Sequence, residues 1–389
     1  MKKAAVSSLL VFVSICFSVF LFEIVLRVVG YQAPIWYQPD AQLGWRMRPG
    51  LAAWYTQEGR GFVSANREGM PDRDHLLDKP ANVYRIALLG DSYSEARQVA
   101  RGEAFWSLLP GELAACGFQG GKQIEVLNFG VSGFGTAQEY VMLESSAIRY
   151  RPDLVLLQFT NGNDVRDNSF ALDPEKNRPF YLFAQDGELR IDESFAYSED
   201  FAARSSFKGE LVRKLTDKVR LLQLARSLKD LSLVPKAQAG LQGTQGIEQG
   251  LEPMVLAAPR DRLWEEAWRI TEGLIAKAGD FAQRNGARFA IVTVPYAVQV
   301  HPDPRVRAEL QARLGVSDLF YPDRRIAAFA KKNGLLAVTL APEMQPLAEK
   351  SGAYFHGFDS IGMGRGHWNA AGHRAAARII ARRLCAAGA

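Results

Sequence analysis

Short apolar runs alternate with longer amphipathic stretches over most of the chain. Continuous apolar runs are typical of fully buried strands, and the stretches between them have the period of helices. Because buried strands that alternate with helices form parallel sheets covered on both faces, the pattern predicts an α/β fold. The predicted strands are residues 84–89, 124–129, 153–159, 288–294 and 335–340, and the predicted helices are residues 92–113, 136–149, 263–285, 322–333 and 370–385.

These elements predict a three-layer α/β/α sandwich around a five-stranded, flavodoxin-like parallel sheet, within a domain at residues 81–389. Ligands of such folds bind at the carboxyl ends of the strands. Residues 171–259 interrupt the alternation, and we interpret them as an insertion. The insertion contains a hairpin-like segment around Asp186 and Gly187, a basic helix near residues 210–229, and a glutamine- and glycine-rich stretch at residues 236–250.

The N-terminal segment carries no charge from residue 4 to residue 22 and follows Lys2 and Lys3. A helix of that length spans the ~30 Å hydrocarbon core of a bilayer. Charged residues follow the run directly, so we predict an uncleaved transmembrane anchor at residues 4–26 rather than a signal peptide. The lysine pair would stay in the cytoplasm, which places the rest of the chain outside, in the periplasm of a Gram-negative cell. Secretion after signal cleavage is the alternative.

Residues 27–80 are rich in tryptophan, proline, glycine and arginine and have no clear periodicity. We interpret them as a juxtamembrane extension that wraps onto the main domain. The sequence does not identify the surface that the extension contacts.

The composition narrows the class of protein. Apolar residues make up 48% of the chain and charged residues 23%, which excludes a chain that is disordered throughout. The net charge of +5 is small and no long basic run occurs, so nucleic acid is not an expected partner. The three cysteines are widely spaced and form no cluster with histidine in the sequence, so we expect no structural zinc site and no other metal or cofactor. Cys116 and Cys385 end the first and last predicted helices, so a disulfide between them is possible in an oxidising compartment.

Four polar elements follow predicted strands or precede the last helix. Gly90-Asp91-Ser92 places a hydroxyl on a strand-to-helix turn, where Ser92 serves either as an acyl-transfer nucleophile or only as a helix cap. The glycine-rich turn at residues 128–136 brings backbone N–H groups close to a ligand oxygen, and its spacing does not fit a dinucleotide loop. Asn161-Gly162-Asn163-Asp164 offers an amide donor or is an asparagine-rich turn, and residues 366–373 supply His367 as a candidate base.

GDS, NFGVSG, GND and GHWN resemble the four sequence blocks of the SGNH/GDSL hydrolase superfamily, in the family's order. The anchor, the extension and the GHWNxxGH ending resemble membrane-anchored bacterial members, some of whose relatives O-acetylate envelope polysaccharides. The resemblance implies Ser92 as the nucleophile and His367 as the base. It also implies that the Ser92 N–H, the Gly133 N–H and the Asn163 side chain form the oxyanion hole.

The fourth block departs from the family pattern, which usually has an aspartate two or three residues before the base. Those positions are Gly364 and Arg365. Asp359 is the candidate acid, provided that residues 360–366 loop back toward His367. Otherwise the enzyme is a dyad, or a backbone carbonyl orients the imidazole. His373 lies within the last predicted helix and is expected to be structural.

Together these features predict a serine-dependent ester hydrolase or acyltransferase that acts outside the cytoplasm on an acylated glycan, a lipid or a small ester. The sequence leaves open whether water or a sugar hydroxyl accepts the acyl group, and it leaves the oligomeric state open. The missing acid motivates an alternative, a non-catalytic scaffold that binds glycan or an envelope assembly partner.

Overall fold

The computed structural model describes the backbone of residues 2–238 and 252–388, with side chains for residues 5–229 and 252–388. The chain forms two compact units. One consists of Met1–Trp36 and Ala202–Thr244, and the other of Tyr37–Phe201 and Gln245–Ala389.

The described residues of the second unit contain the strands and most of the helices. The strands are β1 (Tyr37–Asp40), β2 (Gly44–Met47), β3 (Ala52–Tyr55), β4 (Gly61–Ser64), β5 (Val83–Leu89), β6 (Gln123–Asn128), β7 (Leu154–Thr160), β8 (Phe180–Phe183), β9 (Leu189–Asp192), β10 (Arg288–Val294), β11 (Leu336–Thr339), β12 (His356–Phe358) and β13 (Gly362–Trp368). Over the described residues of both units, the α-helices are α1 (Lys2–Val28), α2 (Ser92–Glu95), α3 (Phe105–Ala115), α4 (Thr136–Ser145), α5 (Asp164–Asp167), α6 (Glu199–Ser205), α7 (Phe207–Lys218), α8 (Arg220–Gln238), α9 (Arg262–Arg284), α10 (Pro304–Leu314), α11 (Tyr321–Lys332), α12 (Ala341–Ser351) and α13 (Ala370–Ala386).

The central sheet has five parallel strands in the order β11-β10-β7-β5-β6. In chain order this is 2-1-3-4-5 read from the β6 edge, the flavodoxin-like order, so the predicted fold class is confirmed. β5 and β7 are buried along their whole length. That burial explains why their sequences are largely apolar runs rather than alternating ones.

Helices cover both faces of the sheet. Side chains of α3, α12 and α13 share one apolar core with β5, and side chains of α4, α9 and α11 share the core on the opposite face. Helices α3 and α13 pack side by side. A disulfide joins Cys116 to Cys385 at the ends of this helix pair, with their Cα atoms 6.5 Å apart.

The first predicted helix differs from the prediction because it is broken. Helix α2 ends at Glu95, Ala96 adopts a left-handed conformation with φ +52°, and α3 begins only at Phe105. The intervening segment contacts the β3–β4 hairpin of the extension, where the Arg60 N–H donates to the Gln98 carbonyl. These tertiary contacts override the helical preference of the segment.

The extension forms two short antiparallel hairpins, β1–β2 and β3–β4, followed by an irregular segment. His75 fixes that segment, because its buried ring contacts the carboxylates of Asp72 and Glu125 at 2.8 Å each. Burial opposes protonation, but these carboxylates outweigh it and raise the pKa of His75. Glu125 lies on β6, so this contact ties the extension to the edge of the central sheet.

Within the predicted insertion, the antiparallel pair β8–β9 confirms the hairpin around Asp186 and Gly187. The predicted basic helix is two helices, α7 and α8, separated at Val219. Most of the predicted glutamine- and glycine-rich stretch, residues 239–250, lies outside the described residues.

Helix α1 belongs to the first unit. Its segment Ala5–Val28 is long and apolar enough to cross a membrane or to act as a signal sequence. Near its C-terminal end, Glu23 accepts hydrogen bonds from the backbone N–H groups of Arg220 and Leu221 at the start of α8.

Candidate active site

Ser92 lies at the turn from β5 into α2, at the carboxyl end of a central strand. Asp91 caps the helix, because its Oδ1 accepts a hydrogen bond from the Tyr93 N–H at 3.0 Å. Ser92 is the first helical residue and is half-buried. The hydroxyl of Ser92 is therefore not needed as the cap and is available for another partner.

That partner is His367, whose Nε2 lies 2.8 Å from the Ser92 Oγ. His367 lies on β13, directly before α13. Its side chain is 29% exposed, so the imidazole is accessible from solvent. Tyr93 packs against the ring with centroids 5.0 Å apart and holds it from one side. Ser92 and His367 are 275 positions apart in the chain, and the fold brings them within hydrogen-bond distance.

The carboxylate of Glu58 contacts the second ring nitrogen of His367, Nδ1. Its Oε2 lies 2.6 Å from Nδ1, and its Oε1 accepts a hydrogen bond from the His367 backbone N–H. Asp359, the candidate acid of the sequence, is exposed at the β12–β13 turn, and the structure brings Glu58 and not Asp359 beside Nδ1. Ser92, His367 and Glu58 are thus linked in series, the geometry of a serine–histidine–acid triad.

Two close approaches fix Glu58 in this position. Gly366 has φ +74°, and a Cβ there would lie 2.0 Å from Glu58 Oε1. Gly59 has φ +65°, and a Cβ there would collide with the Gln98 carbonyl and the Phe358 ring. The tip of the β3–β4 hairpin therefore fits between the α2–α3 segment and the β12–β13 hairpin only because both positions are glycine.

The carboxylate of Glu58 is held in its ionised form. Burial alone would raise its pKa, but the hydrogen bonds and the charge of His367 outweigh burial, and the pKa of Glu58 is lowered. A carboxylate at Nδ1 fixes the imidazole tautomer that leaves Nε2 free to accept the proton of Ser92.

Three groups were expected to form the oxyanion hole. The Ser92 N–H lies at the N-terminus of α2, where it has no acceptor within the helix. Gly133 has φ +80° and lies against the Trp45 ring, because a Cβ at this position would be only 3.2 Å from Trp45 Cζ2. The Asn163 amide donates to the carboxyl groups of Asp91 and Asp167 at 3.3 Å each, so two long hydrogen bonds hold it beside the β5–α2 turn.

The extension also fixes the turn that carries Gly133. The Trp45 indole N–H donates to the Ser132 carbonyl at 3.1 Å. The Ser132 N–H donates to Glu95, which also accepts from the Tyr37 hydroxyl at 2.8 Å. Residues of both strands of the β1–β2 hairpin therefore hold the second sequence block against α2.

Three buried carboxyl groups lie in or beside the β5–α2 turn, on Asp91, Glu139 and Asp164. Burial raises the pKa of Asp91. Burial, together with the repulsion of the neighbouring carboxylates, raises the pKa of Glu139 and of Asp164 well above its usual value. The raised pKa values of Glu139 and Asp164 favour their neutral forms, which limits the negative charge buried near Ser92.

The other histidine of the fourth block, His373, lies within α13 and is buried. Its Nδ1 accepts a hydrogen bond from the Phe105 N–H at 3.2 Å. Burial and the nearby charge of His367 lower its pKa to about 3, which keeps the ring neutral.

Among the described residues, no group of three or more His, Cys, Asp or Glu side chains is arranged to hold a metal ion.

Comparison with known proteins gives structural similarity only. No family model and no curated protein matches the chain. Among solved structures, Axe2, an acetylxylan esterase from Geobacillus stearothermophilus, is 12% identical, with 77% of this chain and 94% of that chain covered and a TM-score of 0.38. LAE5, an alpha/beta hydrolase enzyme from the metagenome of Lake Arreo, Spain, is 14% identical, with 81% and 98% covered and a TM-score of 0.38. At such identities and TM-scores, these similarities do not assign a function to the chain.

Proposed function

We propose that the chain is a serine-dependent esterase or acyltransferase in which Ser92 is the nucleophile, His367 the general base and Glu58 the acid that orients the base. The observation that carries the proposal is the series of two contacts, 2.8 Å from Ser92 Oγ to His367 Nε2 and 2.6 Å from His367 Nδ1 to Glu58 Oε2. The motif resemblance supports the same roles for Ser92 and His367.

The reaction follows from this arrangement. His367 accepts the Ser92 proton at Nε2 while Oγ attacks the ester carbonyl carbon. We assign the oxyanion hole to the backbone N–H groups of Ser92 and Gly133 and to the Asn163 amide, which would exchange one of its two long hydrogen bonds for the oxyanion. The imidazolium then protonates the leaving alkoxide, and an acyl-serine remains. A second hydroxyl group, activated by the same base, releases the acyl group.

The second step separates hydrolysis from transfer, and we leave the acceptor open between water and a sugar hydroxyl. A pre-steady-state burst with a chromogenic acetyl ester, followed by addition of glycan oligosaccharides, distinguishes them. A hydrolase releases acetate at an unchanged rate, whereas a transferase releases the chromophore faster and forms an acetylated sugar.

The proposed substrate is an acyl group, such as acetyl, on an envelope glycan or lipid outside the cytoplasm. The length and apolarity of α1 and the charged residues that follow it support a membrane anchor. A reporter fused after Ala389 should be active only outside the cytoplasm, and the protein should stay in membranes after alkaline carbonate washing. A soluble, shortened chain would instead indicate signal cleavage.

Ser92→Ala tests the enzymatic role. The variant should lose turnover of small acetyl esters while the melting temperature changes little, because Asp91 and not Ser92 caps α2. Unchanged turnover would refute the proposal. The scaffold alternative rested on a missing acid, and Glu58 now fills that position. No separate observation favours it.

A further inference from the structure

Helix α7 presents apolar side chains to solvent. Phe207 is 81% exposed, and Leu211 and Leu215 are 45% exposed each. These residues are spaced by four positions, so they form one stripe along the helix. Val212, also exposed, widens the stripe at its centre. A stripe this apolar on a short helix is typical of a surface that contacts something other than water.

The charged residues of α7 are distributed unequally around this stripe. With ~100° between successive residues, Lys208, Lys214 and Lys218 lie within roughly 60° of the stripe centre. On the same basis, Glu210 and Asp217 lie roughly 100–120° from it. Lys214 also pairs with Glu210 one turn earlier, at 2.6 Å. Lysines beside an apolar stripe, with acids turned away, match the charge pattern of helices that lie on anionic lipid.

The end of α7 is held against α1. Arg27 donates a hydrogen bond to the Lys218 carbonyl, the last residue of α7. Glu23 accepts from the N–H groups of Arg220 and Leu221, so its negative charge lies at the N-terminus of α8. A third contact, 3.0 Å long, joins the hydroxyls of Tyr31 and Ser227.

The turn at Val219 between α7 and α8 forms an elbow. The position of Glu23 sets the depth of this α7–α8 elbow in a bilayer. It is the first charged residue after the uncharged stretch at residues 4–22, so it marks the outer end of the segment that fills the hydrocarbon core. The contacts with Glu23 and Arg27 therefore place the α7–α8 elbow at the boundary between lipid and water.

We propose that α7 lies in the membrane interface, with Phe207, Leu211 and Leu215 buried at the level of the lipid headgroups. Lys208 and Lys218 then face anionic headgroups. The surface is continuous with α1, and its occupant is lipid. This inference rests on the proposed anchor role of α1 and goes beyond the proposed chemistry.

Fluorescence quenching in lipid nanodiscs tests the proposal with the full-length chain. An environment-sensitive thiol probe is attached at Leu211→Cys, or at the control Glu210→Cys, in a Cys16→Ser background. In a separate sample, the same probe is attached to Cys16 of the wild-type chain, which is a free cysteine on α1. This sample reports whether α1 itself is in the bilayer. Quenching is measured with lipid-attached nitroxides and with aqueous iodide, in membranes with and without phosphatidylglycerol.

The Leu211 probe should be quenched by lipid nitroxides at least about threefold more than the Glu210 probe, and by iodide correspondingly less. Phosphatidylglycerol should strengthen the lipid quenching at Leu211 and leave that at Cys16 unchanged. Iodide access at Leu211 equal to that at Glu210 would overturn the proposal, and so would shielding from both quenchers, which indicates a protein cover. A Cys16 probe that lipid nitroxides do not quench would overturn the anchor as well.

Discussion

Replacing Glu58 by glutamine removes the charge that faces His367 and keeps the size of the side chain. The lost interaction is a charge-assisted hydrogen bond of 2.6 Å to Nδ1, made by a carboxylate that is only 12% exposed. The imidazolium that forms during attack loses a negative charge at contact distance, and a glutamine amide that donates to Nδ1 favours the wrong tautomer. We expect a loss of ~3–5 kcal/mol of transition-state stabilisation, or ~10²–10⁴ in kcat.

The assay is the hydrolysis of a small acetyl ester, with kcat and KM measured across pH. In the wild type, the charge of His367 lowers the pKa of Glu58, so by linkage the carboxylate favours the protonated imidazole. Since His367 must be neutral to act as a base, activity falls at acid pH, and this limb should move to lower pH in Glu58→Gln. A residue that only supports the fold would lower activity without moving the limb.

Asp359→Asn is the matched control, because it removes an exposed carboxylate from the adjoining hairpin turn. Its rate should change by less than about tenfold, or under ~1.4 kcal/mol. If Glu58→Gln kept its rate within tenfold while Asp359→Asn lost several orders of magnitude, the assignment of the acid would be wrong.

Three further predictions concern the supporting structure. Gly366→Ala should lower kcat about as much as loss of Glu58, because its Cβ meets the carboxylate, whereas Gly362→Ala, with φ +92° in an open position, should cost stability and little activity. Protonated His75 stabilises the fold through its carboxylate contacts, and this stabilisation is fully present below the unfolded pKa of ~6.5. It is lost as pH rises through the raised pKa of the folded state. The melting temperature of the wild type should therefore fall more above pH ~6.5 than that of His75→Gln. Cys385→Ser should destabilise the chain by ~2–5 kcal/mol in chemical denaturation, and identical reduced and non-reduced peptide maps of the wild type would contradict the disulfide.

The sheet could be predicted from the sequence because its strands are short, largely apolar runs between helical stretches. Residues 288–294 are both the predicted and the observed limits of β10. Ser92 and His367 could be named as candidates because each lies near the start of a helix, where a short motif marks the position. Their hydrogen bond could not be predicted from the parallel sheet alone, because His367 lies on the separate β12–β13 hairpin, which brings it to the carboxyl end of β5.

Glu58 could not be predicted in this way. It lies in a segment without periodicity, 309 residues from its partner. The only local signal is a glutamate followed by Gly59 at the tip of a short hairpin, and such a tip does not identify what it contacts. The break after Glu95 was missed for the same reason, because contacts with that hairpin decide the conformation of the α2–α3 segment.

Reaction with a fluorophosphonate tests the central claim most directly, because the reagent modifies only a serine that a neighbouring base activates. Intact-mass and peptide analysis of the full-length protein should find one adduct, on Ser92. His367→Asn should slow labelling by orders of magnitude, and Glu58→Gln should slow it to an intermediate rate. No adduct, an adduct on another serine, or labelling of Ser92 at an unchanged rate in His367→Asn would contradict the proposed triad.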